Sequence, residues 1–281
     1  MDTAVDTLEQ WPQAQEANQI EMLAYLGTSP IATSHFSDSL SWVITGVYDN
    51  TWNGVVCTRL PDEMADDAIC DVLDRFRSCI VPIPAGWYLE SEPAPDAGPA
   101  PFQWYLPEGS LPADAAARLE AHGCRRLGPG RGMGMDLAAL PASGDFHPGL
   151  EVRAVRDAGT LAAWCAVLDE DAYQKRLRTE IHGSLGLGWD EPYQRFLAEL
   201  NGDPVGAASV FLGENAAGVY DVKVHSEFWR RGIGTAVTLA ALRHARDRDF
   251  RAAVLSPSPE GAGMYARLGF GVYSNNTVSF V

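Results

Sequence analysis

The sequence predicts an α/β (α+β) protein in two domains. Three observations carry this. Short runs of period two alternate with longer runs at helical spacing along the 281 residues, and a stretch of turn formers from Pro141 to Gly149 divides them. Near residue 220, an apolar β-branched run passes through a glycine pair directly into a helix. The expected layout is a domain over 1–140, a linker over 141–149 and a second domain over 150–281. Each is long enough to bury a core, and a hydrophobic fraction of 46% fits a globular chain.

Composition removes several classes of function. A net charge of −16 repels polyanions, which argues against nucleic acid and favours the approach of a cation such as an amine. No apolar run reaches the ~18 residues of a membrane span, and the acidic start (Asp2, Glu9, Glu16) lacks a basic leader, so a cytosolic protein without a membrane partner is expected. The five cysteines, Cys57, Cys70, Cys79, Cys124 and Cys165, follow no ligand spacing, and neither a disulfide framework nor a metal site is expected.

In chain order, residues 4–26 carry helical spacing interrupted at Pro12. Ser41–Tyr48 and Asn53–Leu60 read as paired strands around Asp49-Asn50. Pro61 opens a helix to Ser78, with Met64, Ile69, Val72, Leu73 and Phe76 facing inward, and a strand from Ile80 to Leu89 follows. Glu92–Pro101 is too rich in proline for regular structure and reads as a loop. A helix from Ala113 to His122 and a strand from Met133 to Leu140 complete this half. Arg125-Arg126-Leu127-Gly128-Pro129-Gly130 imitates an anion-binding loop, but Pro129 removes an amide and a strand follows, so it reads as a turn.

The second half opens with a strand, Leu150–Val155, and a helix from Thr160 to Tyr173. Gly183, Gly186 and Gly188 suggest a mobile flap. Strands at Tyr193–Leu200, Val205–Leu212 and Gly218–Val224 lead to the central turn, and Ala252–Leu255 is the strand beyond its helix. That turn, Trp229-Arg230-Arg231-Gly232-Ile233-Gly234-Thr235-Ala236, is built to hold a phosphate. Gly232 and Gly234 leave room for a ligand against the main chain, the free N–H groups of a helix from Thr235 to Asp247 point back at it, and Arg230 and Arg231 add positive charge. No Lys-Ser or Lys-Thr follows the second glycine and no third glycine completes a dinucleotide loop, which sets aside both better-known phosphate loops.

The turn resembles the Gln/Arg-x-x-Gly-x-Gly/Ala motif of the GNAT superfamily of acyl-CoA-dependent N-acyltransferases, with Val224-His225-Ser226 at the place of its usual Val-x-Pro approach. Trp229 stands where Gln or Arg is usual, and Ser226 where Pro is common. Downstream, Tyr265-Ala266-Arg267-Leu268-Gly269-Phe270 is similar to the family's Tyr-x-x-Leu-Gly-Phe ending. The resemblance covers about Leu150 to Val281. It implies a mixed central sheet flanked by helices. The strand-strand-helix-strand-helix-strand order of the first half resembles a shortened module of the same kind, which implies a tandem form whose amino-terminal copy has lost the phosphate turn.

The resemblance also implies a chemistry. Acetyl-CoA, or another acyl-CoA, is the co-substrate. Its pantetheine arm lies beside Val222, Lys223 and Val224, and its pyrophosphate on amides from Arg230 and Arg231 through Gly232, Ile233, Gly234 and Thr235 to Ala236. An amine attacks the thioester directly. Deprotonating an alkylammonium with a pKa near 10.4 at pH 7 costs about 4.6 kcal/mol, whereas protonating a thiolate with a pKa near 8.5 gains about 2 kcal/mol. The general base therefore carries more of the barrier. Asp221, at the head of the strand beside the acyl group, is the candidate, with Glu170, Asp190 and Glu191 as rivals; Tyr265 occupies the family's general-acid position. The acceptor is expected to be a small amine, with a peptide amino terminus or a non-catalytic acyl-CoA sensor as alternatives. Pairing of two copies is left open.

Overall fold

The computed structural model describes residues 10–84, 96–128, 130–140, 147–275 and 279–281. In chain order they form α1 (Trp11–Leu26), β1 (Thr33–His35), β2 (Leu40–Ile44), β3 (Gly54–Thr58), α2 (Ala65–Ser78), β4 (Ile80–Pro82), β5 (Ala97–Pro99), β6 (Gln103–Tyr105), α3 (Ala115–Ala121) and β7 (Gly130–Asp136). These are followed by β8 (Leu150–Ala154), α4 (Ala158–Leu168), α5 (Ala172–Ser184), β9 (Tyr193–Leu200), β10 (Asp203–Leu212), β11 (Ala217–Val224), α6 (Ile233–Arg246), β12 (Ala252–Leu255), α7 (Ala262–Leu268), β13 (Gly271–Asn275) and β14 (Ser279–Phe280). Two compact units divide the chain differently from the expected split at 141–149. One comprises 1–22, 130–170 and 186–275, and the other 23–129, 171–185 and 276–281.

The larger unit is built on a seven-stranded mixed sheet in the order β13-β7-β12-β11-β10-β9-β8. Among the described residues its one parallel pair is β11 with β12, and α6 forms the crossover between them. The period-two pattern of the central strands serves two helices. Phe196, Ala198, Ala208 and Val210 face the α6 side with Val237, Leu239 and Leu242, while Leu197 and Ala207 pack with Leu161 and Trp164 of α4. The strand expected at 133–140 to complete the first half is β7, which lies inside this sheet between β12 and β13. Its partners stand far downstream in the chain, and no local pattern announces them.

The first turns of α1 lie on the same unit. Pro12 does not interrupt the helix; it sits in the first turn, where its missing N–H has no intrahelical acceptor to lose. Asn18 is buried, donates to the carbonyls of Ala216 (2.8 Å) and Phe211 (3.2 Å) and accepts from the Tyr220 hydroxyl (2.7 Å). Gly218 allows this, because a Cβ there would collide with the Asn18 side chain. Asn18→Ala is expected to lower stability by about 1–2 kcal/mol by orphaning these buried groups, read as a lower denaturation midpoint at unchanged m-value.

The smaller unit carries a five-stranded sheet, β1-β2-β3-β6-β14, and a two-stranded ribbon of β4 and β5. Its core joins Trp42, Val55 and Trp104 of the sheet to Ile69, Val72, Leu73 and Phe76, which the 3,4 spacing of α2 puts on one face. Met64, expected to face inward, is 58% exposed because it precedes the helix in a short 3-10 turn. The paired strands expected around Asp49-Asn50 are β2 and β3, and buried Asn53 holds the link by bonding Thr45, Gly46, Val47 and Asp49. The segment expected as a loop over 92–101 contains strand β5, antiparallel to β4; Pro99 is tolerated because this ribbon has only edges. Of the strand expected at Ile80–Leu89, β4 covers Ile80–Pro82, residues 83 and 84 are irregular, and 85–89, like most of the linker, lie outside the described residues. The decoy run at Arg125 pairs instead with the chain end, through Arg125 with Val281 and Leu127 with Ser279.

Here too a parallel pair, β3 with β6, brackets a helix, α2. Between β3 and α2, however, stand Pro61, Asp62 and Glu63 with no glycine, and Asp66 and Asp67 follow in the first helical turn. Four carboxylates at a helix start disfavour a phosphate. The space beside β3 past its pairing with β6 is also taken, because Trp104 donates to the Thr58 hydroxyl (2.9 Å) and the Leu111 amide to the Thr58 carbonyl (2.8 Å).

Candidate active site

In the larger unit β11 and β12 pair only at Ala217 with Ala253 and Gly218 with Val254, whereas on its other side β11 stays paired with β10 as far as Val224. The two parallel strands thus part within the sheet. Val222 and Val224, both half-buried, stand on the β11 side of this wedge. Lys223 points elsewhere: its ammonium donates to the carbonyl of Leu168 at the end of α4 (2.7 Å), which leaves only its main chain to a ligand in the wedge.

Beyond Val224 the chain makes one 3-10 turn, Ser226–Phe228, and enters the glycine turn. Arg230 (φ 61°) and Gly232 (φ 78°, ψ 0°) both adopt the left-handed conformation, an alternation that turns successive N–H groups to one side. The first helical bond runs from Ala236 N–H to the Gly232 carbonyl. The amides of Ile233, Gly234 and Thr235 precede it and have no intrahelical acceptor. No other hydrogen bond engages the amides of Arg230 to Thr235 among the described residues. Arg230, Arg231 and Gly232 are exposed, and a Cβ at Gly232 would meet nothing within 4 Å. Arg231 lies over the Phe228 ring at 5.2 Å. The turn is therefore an open row of donors at a helix start with two cations beside it, an arrangement suited to an anion. Trp229, the departure from the motif, ties the turn to the strand: its indole N–H donates to the Val224 carbonyl at 2.8 Å, while its ring remains 58% exposed. Neither Trp229's role nor its bond was legible in the sequence.

Asp221 sits on a β-bulge. The register with β10 shifts between Ala207 and Ser209, and Asp221 takes up the extra residue at φ 54°. Its Oδ2 accepts from the Tyr193 hydroxyl and the Ser209 hydroxyl, both at 2.6 Å. Both partners are buried, and Tyr193 is held well above the usual tyrosine range, first by burial and then by the Asp221 charge. Tyr193 thus stays a donor to Asp221. Neither hydroxyl was picked out from the sequence, although a serine inside the apolar run Val205–Phe211 was a visible anomaly.

Tyr265 lies on α7, whose Met264 reaches to 3.1 Å from the position of a Cβ on Gly234. The Tyr265 ring is 7% exposed, packs edge-on against Phe270 (5.7 Å), and its phenol is pushed up to about 12 by burial. Its hydroxyl makes no hydrogen bond among the described residues. Gly269 (φ 103°) ends α7 in the left-handed conformation, and the Phe270 amide returns to the Tyr265 carbonyl (3.1 Å).

The flap expected around Gly183 to Gly188 is not loose. Gly183 lies within α5, and the segment after Gly186 is pinned by Gln194, whose amide donates to the carbonyls of Gly188 (2.9 Å) and Trp189 (3.3 Å). The Arg156 guanidinium, 3.5 Å over the Trp189 ring, also donates to the Leu187 carbonyl (3.0 Å). Of the rival carboxylates, Glu170 and Asp190 are exposed, and Glu191 packs against Gly186.

Residues 153–270 match the Acetyltransferase (GNAT) family. No curated protein matches the chain in sequence. Solved structures do match in fold. A GCN5-related N-acetyltransferase from Kribbella flavida is 16% identical with a TM-score of 0.61, covering 99% of this chain and 95% of its own. A tandem GNAT protein from the clavulanic acid biosynthesis pathway is 14% identical with a TM-score of 0.58, covering 98% and 94%. A functionally unknown conserved protein from Staphylococcus epidermidis is 13% identical with a TM-score of 0.51, covering 90% and 92%. Residues 153–270 thus resemble the GNAT acetyltransferase family, and the chain shares its fold along nearly its whole length with GNAT structures, a tandem one among them.

Proposed function

We propose that the chain transfers an acetyl group from acetyl-CoA to the amine of a small molecule by direct attack. The observation that carries this reading is the row of amides from Arg230 to Thr235 at the mouth of the wedge between β11 and β12. The diphosphate of acetyl-CoA rests on those amides beside Arg230 and Arg231, and the pantetheine arm extends along Val222 to Val224 into the wedge. Asp221, on the same strand, takes the ammonium proton directly or through one water. Tyr265 gives its proton to the departing sulfur. The net charge of −16 draws a cationic acceptor towards the chain.

Thiol release from acetyl-CoA across a panel of small amines and free-amino peptides tests the reading. Turnover with a small amine supports it. Turnover with peptides alone transfers the role to amino-terminal acetylation, and binding without thiol release makes the chain a sensor. Asp221→Asn is expected to lower kcat at neutral pH and to recover in part near pH 10, where the amine is already neutral and no base is needed. A loss of equal size at both pH values would assign Asp221 to the bulge alone.

A further inference from the structure

In the smaller unit, Cys70, His122 and Asp66 stand in a relay. The Cys70 Sγ on α2 lies 3.4 Å from His122 Nδ1, and His122 Nε2 lies 3.1 Å from Asp66 Oδ1, one helical turn before Cys70. His122 caps the end of α3, and its main-chain carbonyl accepts from Arg77 (3.1 Å). Arg118 fixes the carboxylate from the other side: it meets Asp66 at 2.6 Å, Asp114 at 3.0 Å, and Asp62. The Asp66 carboxyl is held below its usual range, first by the His122 bond. In the tautomer that carries its proton on Nε2, His122 donates to Asp66 and turns the Nδ1 lone pair to the thiol. Nucleophile, base and orienting carboxylate in this order activate a thiol. Cys70 and Asp66 meet opposite nitrogens of the His122 ring, so the three do not converge on one point as metal ligands would.

The other cysteines lack this arrangement. Cys124 and Cys165 are buried, burial pushes the thiols of Cys79 and Cys124 up, and the half-buried Cys57 only donates to the Asp38 carbonyl (3.5 Å). Cys70 is exposed. The charges around it are mostly negative: Asp66, Asp67, Asp71 and Asp74 on α2, with Asp62 and Asp114 nearby, against Arg77 and Arg118. This field repels anionic reagents.

We infer that Cys70 is a thiol–disulfide exchange site for small neutral or cationic disulfides. Its proton passes to His122 Nδ1 as Sγ attacks one sulfur of the disulfide. The S–S bond breaks, and the departing sulfur takes the proton from His122. The products are a mixed disulfide on Cys70 and one small thiol, with the incoming disulfide as the oxidant. This site is independent of the acyltransferase reading.

The test treats the native chain with excess cystamine at pH 7, quenches with acid and follows each cysteine by peptide mass spectrometry. Cys70 is expected to gain one cysteamine at least about tenfold faster than Cys57, and the anionic oxidised glutathione to react more slowly. In His122→Asn the Cys70 rate should fall towards that of Cys57 while Cys57 is unchanged. Equal rates at Cys70 and Cys57, or an unaltered Cys70 rate in His122→Asn, overturn the inference. Where that variant does not fold, the wild-type pH profile decides. A Cys70 rate that levels off below pH ~8.5 supports the relay, and one that follows an ordinary thiol through ~8.5 overturns it.

Discussion

Gly232→Val is expected to lower kcat/KM for acetyl-CoA by about a hundredfold or more. Gly232 holds φ 78° and ψ 0°, a conformation that costs a β-branched residue about 1–2 kcal/mol or more. Either the turn rearranges and its amides no longer converge, or valine stays and fills the open space above them. A hydrogen bond from an amide to a charged phosphate oxygen contributes about 1.5–3 kcal/mol, so losing two accounts for the expected factor. The position is exposed and its surroundings are empty, so the loss of stability should stay near the strain alone. Steady-state kinetics together with a thermal melt check this. An unchanged kcat/KM in a folded variant would remove the turn from the site.

Tyr265→Phe should reduce kcat by about thirtyfold with little change in CoA affinity. That factor corresponds to the ~2 kcal/mol gained by protonating a thiolate of pKa near 8.5 at neutral pH. The deficit should shrink for thioesters of more acidic thiols, whose departing sulfur needs no proton. Burial pushes the phenol up to about 12, so the acid is present across the neutral range and fails only as pH rises towards that value. The same shift has a stability sign. The fold prefers the protonated phenol, so nothing is lost below pH ~10, and stability falls between there and about 12. A kcat that is unaltered, or a defect that ignores the leaving group, would leave Tyr265 as a packing residue.

Much of this site was readable because it is local. The turn from Trp229 to Ala236 and the Tyr265 to Phe270 ending each occupy a few consecutive residues whose conformations follow from their own chemistry, and β9 was placed at its bounds. What escaped depends on distant partners. Strand β7 is defined by β12 and β13, and the alternation that marks it as a strand does not say in which sheet. Lys223 was expected beside the pantetheine arm, and that the Leu168 carbonyl takes its ammonium, leaving only its main chain there, depends on the distant end of α4. Asp221 was visible as a carboxylate on β11, but its bulge and its two hydroxyl donors arise from register with β10 and from Tyr193 on β9. Glycines at 183, 186 and 188 suggested looseness, and Gln194 and Arg156 remove it through main-chain bonds. Cys70 and His122 belong to different helices, and only the fold brings them together.

Calorimetric titration of acetyl-CoA and of CoA into the intact chain tests the central claim most directly. The open amides of one glycine turn, and the acidic, glycine-free counterpart between β3 and α2, predict a single site per chain whose affinity weakens as salt rises and is lost in Gly232→Val. Absence of heat with both ligands, or equal binding by Gly232→Val, would contradict it.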